Sequence, residues 1–208
     1  MEILKKRSFI LVISLVSYTI SLQSQDSKIV INAFSKSYQN EASGDYDKAA
    51  GSLKAVYDEK SYEINLRLGW LLYNAGQHTK SVEYYSKAVA LMPYAIEPRM
   101  GLAYPLSAME NWTDLEKQYI KILEICPNFS IALYRMGLIF YYREEYDKAA
   151  GYFEKVVNLY PFDYDALVMM AWTMYKQKNL REAKILFNKA LLNNPEGSSA
   201  LEGLDLIH

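Results

Sequence analysis

Apolar residues recur every three or four positions in successive stretches of the chain, and short polar segments separate these stretches. The clearest example lies between residues 130 and 162, where the apolar positions are Leu133, Met136, Phe140, Ala149, Phe153 and Val156. This spacing places the side chains on one face of an α-helix. A polar turn between two such stretches predicts a helical hairpin.

The hairpin pattern repeats with a fixed period. Four prolines, at positions 93, 127, 161 and 195, are evenly spaced, and we call the step from one to the next the repeat period. Proline lacks a backbone N–H and disfavours helix in the preceding residue, so each one is expected to end the second helix of a hairpin. A period of about 34 residues, such as this one, is typical of stacked helical hairpins. An earlier, degenerate copy is indicated by the segment 46–51, which is identical to 146–151.

The repeated residues resemble the tetratricopeptide repeat family. The resemblance rests on a large apolar residue followed by a small one in the first helix, and on small, aromatic and proline positions in the second. These positions are Leu68, Gly69, Ser81, Tyr85, Ala88 and Pro93; Met136, Gly137, Ala149, Phe153 and Pro161; and Met170, Ala171, Ala183, Phe187, Ala190 and Pro195. The resemblance implies an all-α, right-handed superhelical solenoid of antiparallel helix hairpins.

Five repeats and a capping helix are predicted. Their bounds are 28–61 (degenerate), 62–95, 96–129, 130–163, 164–197 and 198–208. The repeat at 96–129 departs from the pattern, because the period puts Ala103 rather than Gly101 at the small position, and Pro105 falls inside its first helix. A kink is expected at Pro105. In the capping helix, Leu201, Leu204 and Ile207 are expected to form the apolar side.

The first 24 residues have a different pattern. A basic group at residues 5–7 precedes an apolar run from Phe9 to Ile20, and small and polar residues follow. This order is typical of a secretory signal peptide. An uncleaved membrane anchor at residues 9–22 and a buried terminal helix are the alternatives. A signal of this type predicts export, with the bacterial periplasm as the expected location.

Composition narrows the chemistry. The formal net charge of −1 gives no basic surface for nucleic acid. One cysteine, Cys126, and two distant histidines, His78 and His208, make a metal site improbable. Phosphate-binding loops, zinc-protease motifs and nucleophile elbows are absent from the sequence. We therefore expect no catalytic residues, no cofactor and no metal, and membrane contact only if the N-terminal segment is retained.

The resemblance also implies a concave surface lined by the first helix of each hairpin. Aromatic residues recur at the family's ligand-facing positions, and Trp, Tyr and Arg are the types that dominate binding hot spots. The candidate partner-binding residues are Trp70, Tyr73, Asn74, Tyr104, Tyr134, Arg135, Tyr141, Trp172, Tyr175 and Lys176.

Two functions follow from this pattern. The first is an adaptor of the cell envelope that binds a peptide or helix of another protein in an aromatic groove. The second is a structural subunit of a secretion or outer-membrane assembly machinery that self-associates, which would make it a homo-oligomer. An exposed apolar face on residues 28–42 would favour the second.

Overall fold

The computed structural model describes residues 27–207, and the signal-peptide and anchor predictions for residues 1–24 lie outside them. The described residues form helices and no strand, which confirms the all-α prediction. The helices are α1 (27–42), α2 (Tyr46–Lys54), α3 (Tyr62–Asn74), α4 (His78–Leu91), α5 (Glu97–Ala108), α6 (Trp112–Ile125), α7 (Ser130–Tyr142), α8 (Tyr146–Leu159), α9 (Tyr164–Lys176), α10 (Leu180–Asn193) and α11 (Ser198–Asp205).

The chain divides into two compact units, with the division after Pro105. Unit 1 contains α1 to α4 and α5 as far as Pro105. Unit 2 contains the rest of the described chain. Pro105 lies inside α5, which continues to Ala108. The kink expected at this proline stays a prediction.

A single apolar cluster joins the first two hairpins of unit 1. It combines Ala49 and Leu53 of α2 with Ile64, Leu68 and Leu72 of α3, and each of these side chains is at most 2% exposed. In α3 these residues fall at helical spacing, so one face of the helix supplies the contact. Burial of this face is the main source of stability for helices as short as these.

The aromatic ring of Tyr85 fixes how closely the first helices approach α4. A Cβ added to Gly69 would lie 2.6 Å from Tyr85 Cγ, and one added to Gly101 would overlap Tyr85 Cε1. Both first helices therefore pack their backbones directly on this ring. The repeat period pointed to Ala103 as the small position of α5. Ala103 is buried, but Gly101 is the residue that packs directly on the ring.

Unit 2 uses the same kind of contact. The ring of Phe153 lies 2.6 Å from where a Gly137 Cβ would be, and the ring of Phe187 occupies the space that a Gly203 Cβ would need. Both phenylalanines are fully buried. An aromatic residue of the second helix thus packs against the backbone of a first helix, either its own or the following one.

The turns within the hairpins share one backbone conformation. Gly44, Gly76, Glu110, Glu144 and Lys178 all have positive φ. The last four follow each other at the repeat period, whereas the step from Gly44 to Gly76 is two positions shorter. The left-handed conformation ends a helix and reverses the chain, and glycine adopts it most easily. The residue with positive φ therefore marks the same position in every hairpin, including the degenerate first one.

The identical segments 46–51 and 146–151 make the same contact with the next hairpin. Gln77 Nε2 donates to Asp47 Oδ1 at 2.7 Å, and Gln177 Nε2 donates to Asp147 Oδ1 at 2.6 Å. In each unit the second helix of one hairpin is thereby tied to the turn of the following one. The sequence carried this signal, because the two donor–acceptor pairs have the same separation along the chain.

Helix α11 buries a different side from the predicted one. Ala200 and Gly203 are buried, and Ile207 is 7% exposed, but Leu201 is 43% exposed. The predicted apolar side was therefore wrong for Leu201. The physical reason is that α11 packs on Phe187 through the side that carries Gly203, and no helix within residues 27–207 covers the side that carries Leu201.

Gly101→Ala should destabilise unit 1. The added methyl group would overlap the buried Tyr85 ring, and overpacking of this kind costs about 1–3 kcal/mol. We expect a lower urea midpoint in a circular dichroism titration. Gly151→Ala is the matched control, since no atom of another helix lies within 4 Å of its added Cβ and α8 should gain about 0.5–1 kcal/mol. A Gly101→Ala variant as stable as the wild type would contradict the packing role of this glycine.

Candidate partner-binding surface

Three aromatic side chains of unit 1 lie against one another. We call Trp70, Tyr73 and Tyr104 the unit-1 surface. The ring centroids of Tyr73 and Tyr104 are 5.4 Å apart, those of Trp70 and Tyr104 are 6.0 Å apart, and those of Trp70 and Tyr73 are 6.2 Å apart. Tyr104 is 48% exposed, and the other two are half-buried. The structure thus brings together three of the predicted residues, on α3 and α5.

A partly buried ionic network fixes the orientation of Trp70. Its indole Nε1 donates to Glu41 Oε1 at 2.6 Å, and the guanidinium of Arg67 pairs with the other oxygen of the same carboxylate. Arg67 also lies over the Tyr38 ring, 3.9 Å from its centroid. Because the Arg67 and Glu41 side chains are only 12% and 22% exposed, solvent screens their attraction little.

The network shifts the ionisation of Glu41. Burial raises the pKa of this carboxyl, but hydrogen bonds from Arg67 and Trp70 and the charge of Arg67 outweigh burial. The pKa therefore lies below its ordinary value of 4.5. Glu41 stays charged at neutral pH and holds both donors in place.

Asn74 is placed beside the unit-1 surface but has a local role. Its Nδ2 donates to the backbone oxygen of Trp70 at 2.9 Å, within α3. This bond occupies one of the two amide hydrogens.

The predicted residues of unit 2 fall into two groups. Trp172 donates from Nε1 to Ser199 Oγ at 2.8 Å, and its ring lies 5.1 Å from Phe187 and 5.6 Å from Tyr175. Tyr134 packs on Phe153 with centroids 5.7 Å apart. These aromatic side chains are half-buried, so part of each ring is occupied by the core.

The remaining predicted residues of unit 2 are Arg135, Tyr141 and Lys176. Arg135 and Lys176 are exposed. Tyr141 is half-buried, with its centroid 5.6 Å from both Tyr142 and Tyr146. Whether any residue of the predicted set contacts a partner stays a prediction.

Tyrosine hydroxyls of both units are hard to ionise. Burial, with the nearby Asp165 carboxylate, raises the pKa of Tyr134 to about 12. Burial and Glu97, which accepts a hydrogen bond from Tyr62 at 3.2 Å, raise the pKa of Tyr62 to about 12. Both hydroxyls therefore stay protonated well above neutral pH, and that of Tyr62 already donates to Glu97.

Sequence reasoning missed Tyr38, Glu41 and Arg67. The spacing from the turn glycines would have identified Tyr38. It lies six residues before Gly44, just as Trp70 lies six residues before Gly76. Tyr38 thus occupies the position of Trp70 in the first hairpin, and it is 54% exposed. The repeat period does not predict the ion pair between Glu41 and Arg67.

The described residues contain no group of three or more His, Cys, Asp or Glu side chains arranged to hold a metal ion. None of the helices within residues 27–207 is long and apolar enough to cross a membrane.

Comparison with known proteins agrees with this architecture. Tetratricopeptide repeat models match residues 41–96 and 141–204. The chain belongs to the tetratricopeptide repeat family. The predicted family is therefore confirmed.

Two solved structures resemble this tetratricopeptide repeat chain. A tetratricopeptide repeat protein from Parabacteroides merdae is 22% identical, with a TM-score of 0.75 over 85% of this chain and 71% of that one. YrrB, described as a tetratricopeptide repeat protein with an unusual peptide-binding site, is 15% identical, with a TM-score of 0.71 over 89% and 97%. These likenesses show the shared fold.

One curated relative has similar sequence. The human protein O-mannosyl-transferase TMTC1 is 30% identical over 145 residues, which cover 66% of this chain. The chain spans 16% of the length of that relative.

Glu41→Gln should destabilise the chain at neutral pH. Glutamine keeps an acceptor for the Trp70 indole but leaves the Arg67 charge unpaired, which should cost about 1–2 kcal/mol at pH 7. Because the folded-state pKa of Glu41 is lowered, its contribution is full above about pH 4.5 and is lost as the pH falls through the lowered value. Urea titrations at several pH values should show the two proteins converging in acid.

The control for this titration is Glu59→Gln, which neutralises an exposed carboxylate of the same unit. It should change the unfolding midpoint little at any pH. A wild-type advantage over Glu41→Gln that persists unchanged in acid would contradict the ionic role of Glu41.

Proposed function

We propose that the protein is an adaptor that binds a peptide or helix of another protein on the unit-1 surface. The observation that carries the proposal is the set of three contacting aromatic rings, with Tyr104 half exposed and Trp70 held by Glu41. Rings already fixed in place lose little conformational entropy on binding, which favours affinity. The family supports a protein-binding role, and YrrB offers a fold relative described as having a peptide-binding site.

The proposed occupant contributes apolar side chains. Arg67, next to Trp70 in the network, is paired with Glu41 and lies over the Tyr38 ring, so its charge is not free for a peptide carboxylate. Aromatic faces and tyrosine hydroxyls suit apolar anchors with a few hydrogen bonds around them. The predicted residues of unit 2 are proposed as a separate contact surface of that unit, formed by Tyr134, Arg135, Tyr141, Trp172, Tyr175 and Lys176.

We further propose that the protein is exported to the bacterial periplasm. The support is the order of basic, apolar and small residues in positions 1–24. Intact-mass measurement of the protein from its native cells tests this directly. A chain that begins near residue 25 is expected, and retention of residues 9–22 would favour the membrane-anchored alternative.

Self-association as a structural subunit is the second candidate. The observation in its favour is on α1, where Ile29 is 51% and Ile31 is 66% exposed. The two side chains are two positions apart and emerge on different sides of α1, so a second copy would cover one of these sides. Association that depends on concentration and is lost in Ile31→Asp would favour this function.

A photo-crosslinking experiment tests the adaptor proposal. We would place p-benzoylphenylalanine at position 104 of the full chain and irradiate it in the native cell envelope. A specific crosslinked protein is expected, because the proposed occupant covers Tyr104. Its yield should fall at least severalfold when Trp70→Ala is added, since loss of one aromatic hot spot commonly costs about 2 kcal/mol or more.

The matched control places the same crosslinker at Tyr94. This residue lies in unit 1, in the loop after α4, and is 84% exposed. Equal capture from positions 94 and 104, or capture at position 104 that ignores Trp70→Ala, would contradict the proposal.

A further inference from the structure

Helix α11 has one side that matches the other first helices and one side that differs from them. Ala132, Ala166 and Ala200 follow each other at the repeat period, and all three are 0% exposed. In α9 and α11 this alanine lies in an apolar cluster with the preceding hairpin. Helix α11 therefore packs on its preceding hairpin in the same manner as α9 does.

The leucines of the same helices behave differently. Leu133 of α7 is 1% exposed and Leu167 of α9 is 0% exposed, but Leu201 of α11 is 43% exposed. These three leucines also follow each other at the repeat period. The position that is fully covered in two first helices is thus open in the third.

The covering element in the first two cases is the second helix of the same hairpin. Leu133 clusters with Val156 of α8, and Leu167 clusters with Ala183 and Phe187 of α10. Within residues 27–207, no helix takes this place beside α11. Leu204, one turn further along α11, is only half-buried and extends the open strip.

The charge of α11 distinguishes two candidate occupants of this strip, which are α11 of a second copy and a helix with basic residues. Asp205 lies four residues after Leu201, on the same side of the helix, and Glu202 is also exposed. Helix α11 contains no Lys or Arg, and neither acid is in an ion pair with another described residue. Pairing α11 with α11 of a second copy would bring like charges together, whereas a helix with basic residues would neutralise them.

We propose that Leu201, Leu204 and Asp205, which we call the α11 face, dock an amphipathic helix of a partner protein. The docked helix has the chemistry of a repeat's second helix. It carries a small residue followed four positions later by an aromatic one, with Lys or Arg beside this apolar strip. It covers Leu201 as α8 covers Leu133. This inference is independent of the unit-1 surface.

The probe for the experiment is a peptide of residues 179–194, labelled at its N-terminus. It has the required pattern in Ala183 and Phe187, and it is basic through Arg181, Lys184 and Lys189. We would titrate the intact mature chain into the labelled peptide and follow fluorescence anisotropy. Saturable binding that weakens as salt is added is expected.

Variants of the intact chain locate the binding. Leu201→Asp should weaken binding about tenfold or more, in line with the loss of one buried leucine. Asp205→Lys should also weaken it, by charge repulsion. Leu206→Asp is the matched control, since Leu206 is 53% exposed but is turned away from Leu201, and it should leave binding within about twofold. All three sites are exposed, so the variants should fold, which circular dichroism checks.

Three results would overturn the inference. The first is an absence of saturable binding, and the second is binding that Leu201→Asp leaves unchanged. The third comes from sedimentation velocity without peptide. The chain should sediment as one species at all concentrations, and a dimer abolished by Leu201→Asp would assign the α11 face to a second copy.

Discussion

The distance between neighbouring helices is set by aromatic rings that press on backbone. Tyr85 contacts the positions of Gly69 and Gly101, and Phe187 contacts that of Gly203. A methyl group at any of these glycines would overlap a buried ring. Close approach lets α4, α8 and α10 each touch the first helices on both sides, so apolar burial extends along each unit. The contact also decides which side of a first helix faces inward.

The aromatic surface follows from that choice. With one side of α3 committed to the core, Trp70 and Tyr73 emerge at its edge, where Tyr104 of α5 meets them. They lie half in the core and half in solvent, as tyrosine and tryptophan favour when one end is polar. Glu41 then fixes the indole, and Arg67 neutralises Glu41. The same choice of side buries Gly203 and leaves Leu201 open on α11.

Periodicity explains why the fold was predictable from the sequence and why parts of the surface were not. Pro93 and its equivalents give the hairpin period, and local helical patterns give the elements. The Gly101 contact was harder, because it joins neighbouring hairpins and shifts the small residue by two positions. The Glu41–Arg67 pair belongs to the degenerate first hairpin, where the step to the next turn is shorter than the repeat period. The equivalents of Leu201 are covered by the second helix of their own hairpin, and no helix within residues 27–207 takes that place beside α11. No property of Leu201 itself indicates this exposure.

The most direct test of the account is hydrogen–deuterium exchange of the intact chain with and without the protein captured at position 104. Binding on first helices predicts slower exchange in peptides from α3 and α5, with α4 unchanged apart from its ends. Backbone amides of a helix are protected when a ligand suppresses its local opening. Protection confined to α4, with α3 and α5 unaffected, would contradict the assignment of the unit-1 surface as the binding surface.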